Sequence, residues 1–313
     1  MADDPRSGPE VAVVGSANLD LVVEVETIPV AGETVLGGDL RLIPGGKGAN
    51  QAAAAARLGR RVAMIGRVGD DDAGRTLRSA MDSAGVDTAS LLTTEGAPSG
   101  TALIAVGADG DNAIVVSPGA NGRLSSADVE GAAGALGAAD VVLLQLEVPL
   151  EAVAAAVRGA GGTVVLNPAP APATMLPPDL LDRVDVIVPN QTELATMAGH
   201  AGLSPIGEVD PETAVALARG LPIAAAVVTL GAAGAMVVTP TDATHVPAPA
   251  VVPVDTTAAG DAFCGALADA LVGGADLVAA TKWAVRVGAA ATLRHGAQPS
   301  LPTRFEVDQL LGA

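Results

Sequence analysis

The sequence predicts an α/β chain: a doubly wound, mainly parallel sheet flanked by helices, with a small β-sheet lid. Three observations carry that expectation. Four runs, VAVVG at 11–15, VVLLQL at 141–146, VIVP at 186–189 and AAVVTL at 225–230, are almost continuously apolar, as strands buried on both faces are. Ala- and Leu-rich stretches of helical length separate most of the strands, and strands joined by helical crossovers build parallel sheets. Two regions, 21–43 and 97–118, break that rhythm and read as antiparallel ribbons, so the lid is expected as two insertions into a single domain spanning 1–313.

In chain order, 11–15 is the first buried strand. Residues 21–26 alternate apolar and acidic side chains, and 34–43 is strand-like around Gly37-Gly38. A helix at 49–58 stops at Gly59, a strand follows at 62–65, and a helix at 73–84 stops at Gly85. Strands at 101–106 and 112–116 flank a Gly/Asp turn, Gly107-Ala108-Asp109-Gly110-Asp111, and predict a hairpin. Strand 141–146, helix 150–157, strands 163–166 and 184–188, and helix 193–198 come next. Helix 211–219 and strands 225–230 and 235–238 then precede two Ala-rich helices at 259–272 and 277–293.

Composition narrows the function classes. Of 313 residues, 35 are Asp or Glu and 17 Lys or Arg, a formal charge of −18 that lacks the basic footprint of a nucleic-acid-binding surface. A local anion pocket is still possible, because bare amides at a helix start hold phosphate without net positive charge. One cysteine excludes an internal disulfide framework and a thiolate-built zinc site, and the three scattered histidines form no metal-ligand motif. With aromatics at 1%, the core has to be built from Ala, Val, Leu and Ile. The polar start MADDPRSGPE has no apolar segment of the secretory type, and no run approaches the ~20 apolar residues of a membrane span, so a cytoplasmic protein is expected.

Common nucleotide fingerprints are missing. Gly46-Lys47 has Arg41 where a P-loop needs its first glycine and Gly48 where it needs Ser or Thr; neither a G-x-G-x-x-G nor a G-x-S-x-G string occurs. Four other constellations lie at expected strand ends or helix starts. Asn18 and Asp20 follow the first strand two residues apart, on one face if extended, an amide and a carboxylate suited to vicinal hydroxyls, although turns favour the same residues. Pro44-Gly45-Gly46-Lys47-Gly48-Ala49-Asn50-Gln51 lets backbone, Lys47 and Asn50 approach a small molecule at a helix N-terminus. In Asp255-Thr256-Thr257-Ala258-Ala259-Gly260-Asp261, small residues bare successive N–H groups at a helix start, an anion-binding nest, with Asp261 placed to act as general base or simply to offset the helix dipole. Asn190-Gln191-Thr192-Glu193 and Thr229-Leu230-Gly231-Ala232-Ala233-Gly234 sit at neighbouring strand ends where a nucleotide could lie, with Glu193 able to hold a hydrated Mg²⁺.

Together with GDDDAG, QLEVPLE, LNPAPA and GAQPS, these strings run in order through nearly the whole chain. They resemble the ribokinase family, the phosphofructokinase-B-type sugar kinases. That resemblance implies ATP-dependent phosphorylation of D-ribose at O5. It implies sugar contacts from Asn18, Asp20, Gly46, Lys47, Asn50 and Glu147, with Asp261 as catalytic base. It also implies an anion hole from the backbone of Ala258, Ala259, Gly260 and Asp261, and ATP contacts from Asn190, Thr229, Leu230, Gly231, Ala232, Ala233, Gly234, Gly260 and, on the adenine side, Val285. Mg²⁺ would accompany ATP near Glu193, and an activating monovalent cation, usually K⁺, would lie near Asp255, Thr257, Ala291, Arg294, Gly296 and Ser300. A homodimer through the lid is expected, while Cys264 reads as a small buried hydrophobe. The alternatives are a kinase for deoxyribose, fructose or a nucleoside, and a non-catalytic sugar- or nucleotide-binding regulator on the same scaffold.

Overall fold

The computed structural model describes residues 8–109, 111–203 and 209–312. Its chain begins with β1 (Val11–Val14), β2 (Asn18–Glu24), β3 (Arg41–Gly45), α1 (Lys47–Arg57), β4 (Val62–Gly69) and α2 (Asp72–Ser83). Short β5 (Val86–Asp87) and β6 (Leu91–Thr94) lead to the hairpin β7 (Gly100–Val106) and β8 (Asn112–Ser117), then α3 (Ser126–Gly131) and α4 (Ala133–Ala138). The middle comprises β9 (Val141–Leu144), α5 (Leu150–Gly159), β10 (Thr163–Leu166), α6 (Pro178–Leu181), β11 (Val186–Ile187), α7 (Gln191–His200) and α8 (Pro211–Gly220). The end comprises β12 (Ala226–Thr229), β13 (Ala235–Val238), β14 (Ala243–Val246), α9 (Ala259–Val272), α10 (Leu277–Ala291) and α11 (Arg304–Leu311).

Ten strands form the main sheet in the order β14-β13-β12-β11-β10-β9-β1-β4-β5, with β6 also on β4. Every pairing is parallel except β12–β13 and β13–β14. Alternate residues of one strand enter opposite layers: Val11 and Val13 join the helices carrying Ala52–Ala55 and Ala262–Leu267, whereas Ala12 and Val14 join the layer of Val153 and Leu194. That division is why β1 is apolar at every position.

Small residues set the helix spacing on the first layer. A Cβ on Gly265 of α9 would stand 2.5 Å from Ala54 Cβ and 2.9 Å from Gln51 O of α1, so these helices touch backbone to backbone. Farther along α9, fully buried Asp269 accepts from Arg60 Nε at 2.7 Å, Arg304 Nη2 at 2.6 Å and Trp283 Nε1 at 2.8 Å, and the Arg304 guanidinium sits 4.7 Å from the indole centroid.

The lid is a separate four-stranded sheet, β3-β2-β7-β8. Three features differ from expectation. Its central pair, β2 and β7, is parallel, because the two insertions enter the sheet side by side from the same end; only β2–β3 and β7–β8 are antiparallel. The predicted strand over 34–43 shrinks to Arg41–Gly45, preceded by one bridge between Val25 and Gly37; Leu36 is 95% exposed and has no apolar face to pack on. Strand β2 also begins earlier than expected, at Asn18. Gly110 of the predicted turn and residues 1–7 of the polar N-terminus lie outside the described residues. Among the described residues no helix is long and apolar enough to cross a membrane.

Candidate active site

The site forms where β1 and β9 end, below the lid. Register in the lid pairs Asn18 with Gly45 and Asp20 with Ile43, which brings the end of β3 to the start of α1. Gly46, the residue before that helix, has φ +90°, and a Cβ there would meet the Asn18 nitrogen at 2.6 Å; glycine is required on both counts. No side chain of its own segment caps α1. Its leading amides turn instead to distant partners: Lys47 N–H donates to Glu147 Oε2 at 3.2 Å, Gly48 N–H to Ser16 Oγ at 3.4 Å and Ala49 N–H to Ser16 O at 2.8 Å, while the Ser16 hydroxyl donates to Glu147.

Asp261 lies in the first turn of α9 and is buried. Close packing of α1 on α9 delivers two amides to it: Asn50 Nδ2 donates to Oδ2 at 2.9 Å and Gln51 Nε2 to Oδ1 at 3.1 Å. Burial raises the Asp261 pKa, against the opposing effects of Lys47, Asn50 and Gln51. The residue before the helix, Ala258, takes a left-handed conformation at φ 59°, and no side chain caps the helix. Around the expected anion hole, Ala259 N–H turns back to Thr256 O at 3.2 Å, while the N–H groups of Gly260 and Asp261 have no such backbone acceptor. Gly260 is exposed, and a Cβ there would touch nothing within 4 Å, so space for a ligand adjoins these amides.

Charge in the site is lopsided. Burial, then repulsion from Glu147 and Asp261, pushes Asp20 up to about 7, with Lys47 opposing. Burial pulls on the Lys47 ammonium, yet Asp261, Glu147 and Glu193 outweigh it and hold the group above its ordinary value. Glu193 is likewise raised, mainly by burial, with Asn190 and Lys47 opposing. Displaced carboxylates around one lysine, gathered beside a cleft, make this the candidate functional site.

Asn190 and Glu193 form a reciprocal cap on α7: Glu193 N–H donates to Asn190 Oδ1 and Asn190 N–H to Glu193 Oε2, both at 2.8 Å. Both also line a cleft with Lys47, Thr229, Gly260 and Asp261, so the cap of α7 forms part of that cleft's wall. Cys264 lines the same cleft; burial pushes its thiol well above the usual range, as suits a small hydrophobe. Gly231, Ala232 and Ala233 are exposed at the end of β12, whereas Leu230 and Gly234 turn inward. Val285, the residue expected on the adenine side, is buried within the α9–α10 layer.

Among the described residues no three His, Cys, Asp or Glu side chains are grouped to hold a metal. A hydrated Mg²⁺ carried by phosphates needs only one or two protein carboxylates, a demand that buried Glu193 beside Asp261 fits. Behind the helix start, Asp255 Oδ1 accepts from Thr257 N–H and Oδ2 from Gly296 N–H, both at 2.8 Å, and its pKa is lowered even against burial. The Arg294 guanidinium is drawn off to Glu306 at 2.7 Å, and the Ser300 hydroxyl donates to Ala297 O at 2.8 Å. Asp255, the one anionic group among the residues expected to hold a monovalent cation, is a hard oxygen donor of the kind such an ion takes.

Four participants are not on the list drawn from sequence. Asn121 receives Ala17 N–H at 3.0 Å, donates to Ala17 O at 3.1 Å and donates to Asn18 Oδ1 at 2.7 Å, which leaves the Asn18 NH₂ as the donor available to a ligand. Gln51, Gln145 and Asn167 form a second amide group behind Asp261. The available signal was polarity in an apolar setting: Gln145 interrupts VVLLQL, and Gln51 precedes five alanines.

A buried carboxylate at the bare start of a helix, under a β lid on a doubly wound sheet, is the layout of a group-transfer enzyme. The profile of the pfkB family carbohydrate kinases matches residues 9–304, and the chain belongs to that family. It is 38% identical over 304 residues to the ribokinase of Bacillus subtilis, covering 96% of this chain and 99% of that one. It is also 38% identical over 309 residues to the deoxyribokinase of Salmonella typhi, covering 96% and 98%. The structure of Arabidopsis thaliana ribokinase complexed with ribose and ATP superposes with a TM-score of 0.83 at 33% identity, covering 98% of this chain and 99% of that one.

Proposed function

We propose that this chain transfers the γ-phosphoryl group of ATP to O5 of D-ribose, giving D-ribose 5-phosphate and ADP. The observation that carries the reading is the Asp261 carboxylate, fixed by two amides in the first turn of an uncapped helix beside an open cleft. Likeness to ribokinases supports ribose and ATP as the substrate pair. In the step, Asp261 takes the proton of the 5-hydroxyl and O5 forms a bond to the γ-phosphorus. The bond from that phosphorus to the β–γ bridging oxygen breaks, and its electron pair leaves with ADP. Most of the catalysis is positioning and charge stabilisation, the latter from the N–H groups of Gly260 and Asp261.

Asn18, Asp20, Gly46, Lys47, Asn50 and Glu147 hold the sugar in this reading, while Asn190 and the 229–234 loop hold the nucleotide. Glu193 would hold Mg²⁺ through water, and the ion when bound neutralises charge on the β- and γ-phosphates. Asp255, with peptide oxygens of Thr257, Ala291, Arg294, Gly296 and Ser300, would hold K⁺ and thereby steady the anion hole. The enzyme works in the cytoplasm as a homodimer joined through the lid, a reading supported by exposed Leu42, Leu103, Ile114 and Val115 on that sheet.

An ADP-release assay across ribose, 2-deoxyribose, fructose and nucleosides, with and without potassium, tests the reading. Ribose should give the highest kcat/KM and potassium should raise it. A tenfold preference for 2-deoxyribose would reassign the substrate, and no ADP release with any sugar would remove the activity.

A further inference from the structure

We propose that Gln51 is a positioning residue for the base: a relay of side-chain amides, anchored on the main-chain carbonyl of Val188, holds its NH₂ group against Asp261 Oδ1. The inference rests on the reading of Asp261 as the base. Gln51 and Gln145 have no exposed surface, so neither can touch a sugar or a nucleotide. What they do reaches the chemistry only through Asp261.

The direction of the relay follows from its fixed end. Val188 O can only accept, so Asn167 must present its NH₂ group there, at 2.8 Å. Asn167 Oδ1 is thereby turned toward Gln51 and accepts from Gln51 Nε2 at 3.1 Å. The second hydrogen of that NH₂ group goes to Asp261 Oδ1 at 3.1 Å. Gln51 Oε1, on the other side, accepts from Gln145 Nε2 at 2.6 Å. A flipped Gln51 amide would set its oxygen against both Asp261 and Asn167 Oδ1, three acceptors in contact, and would oppose Gln145 with a donor. The amide therefore has one orientation. Asn50 holds the other carboxylate oxygen, so the plane of the base is fixed at both ends before substrate arrives.

Two consequences separate this role from general packing. A hydrogen bond donated to a carboxylate favours its charged form, so loss of Gln51 Nε2 should raise the pH at which Asp261 becomes an active base. The other charged or titratable groups that act on Asp261 are Lys47 of α1, Asp20 of β2, Glu147 after β9, Glu193 of α7 and Cys264 of α9, and each is retained when Gln51 is changed. Sugar contacts are also retained, so the loss should fall on kcat.

The test compares Gln51→Met, Gln145→Met and Asp261→Asn in full-length enzyme, with kcat, sugar KM and the pH profile of kcat, and circular dichroism to verify folding. Gln51→Met should lower kcat by about ten- to a hundredfold, leave KM within about threefold, and move the acid limb upward by about half a pH unit or more. Gln145→Met, which frees Gln51 Oε1 without touching Asp261, should produce the same changes at smaller size. If Asp261→Asn abolishes turnover while Gln51→Met keeps kcat and the acid limb of the wild type, the positioning role is wrong and the base assignment stands. If Asp261→Asn retains turnover, the base assignment fails and the relay loses its purpose. Should Gln51→Met not fold, Gln145→Met decides, and an unaltered kcat and acid limb in that variant overturns the proposal.

Discussion

At the scale of single residues, the site is a small set of carboxylates held in unequal states. Asp261→Asn keeps the shape and the contact to Asn50 but cannot accept a proton; kcat should fall by on the order of 10²- to 10⁴-fold with ribose KM little changed, as steady-state kinetics would show. Asp20 yields a stability prediction. Its folded pKa, about 7, lies above the ordinary 3.8, so the fold favours its neutral form. Its contribution is full below about pH 4 and is lost as pH rises through about 7. Without ligands, the stability of Asp20→Asn relative to wild type should therefore rise by about 1–3 kcal/mol between pH 5 and pH 8 in urea titrations. Residue identity alone pointed to Asp261, Asn18 and Asp20, because their strings are distinctive. It did not point to Asn121 or Gln51, whose roles arise only when segments 104 and 210 positions apart in sequence meet.

At the scale of elements, the contact of α1 with α9 is what turns sequence into a site. Gly265→Ala would drive a methyl group into Ala54 and the α1 backbone. The expected cost is about 1–3 kcal/mol in chemical denaturation, with a fall in kcat at unchanged folded fraction, because Asn50 and Gln51 move with α1. Elements with strong local signals were legible: 163–166, 235–238 and 259–272 have the predicted bounds. Helices α3 and α4 were not, since 126–138 is Ala- and Gly-rich and its apolar period is faint. The Ser125–Asp128 capping box that opens α3, in the same pattern as Asn190–Glu193, emerges only in the structure. Parallel pairing of β2 with β7 had no local signal, because neither strand contains information about where the other enters the sheet.

For the whole molecule, the proposed assembly rests on the lid. Strand β8 is exposed at all six positions and forms an edge of its sheet, with Ile114 at 53% and Val115 at 64%. Such an edge is normally paired or covered. Light scattering should find a dimer for the native chain, and Ile114→Glu should shift it toward monomer with the circular dichroism spectrum preserved. The joint at Asp269 has a different use. The chain has one tryptophan and no tyrosine, and Trp283 is tied to that carboxylate beneath Arg304. Nearly all intrinsic ultraviolet emission thus comes from a single indole at the seam of α9, α10 and α11, a built-in optical reporter whose spectrum tracks the opening of that seam during unfolding, with no second fluorophore to disentangle.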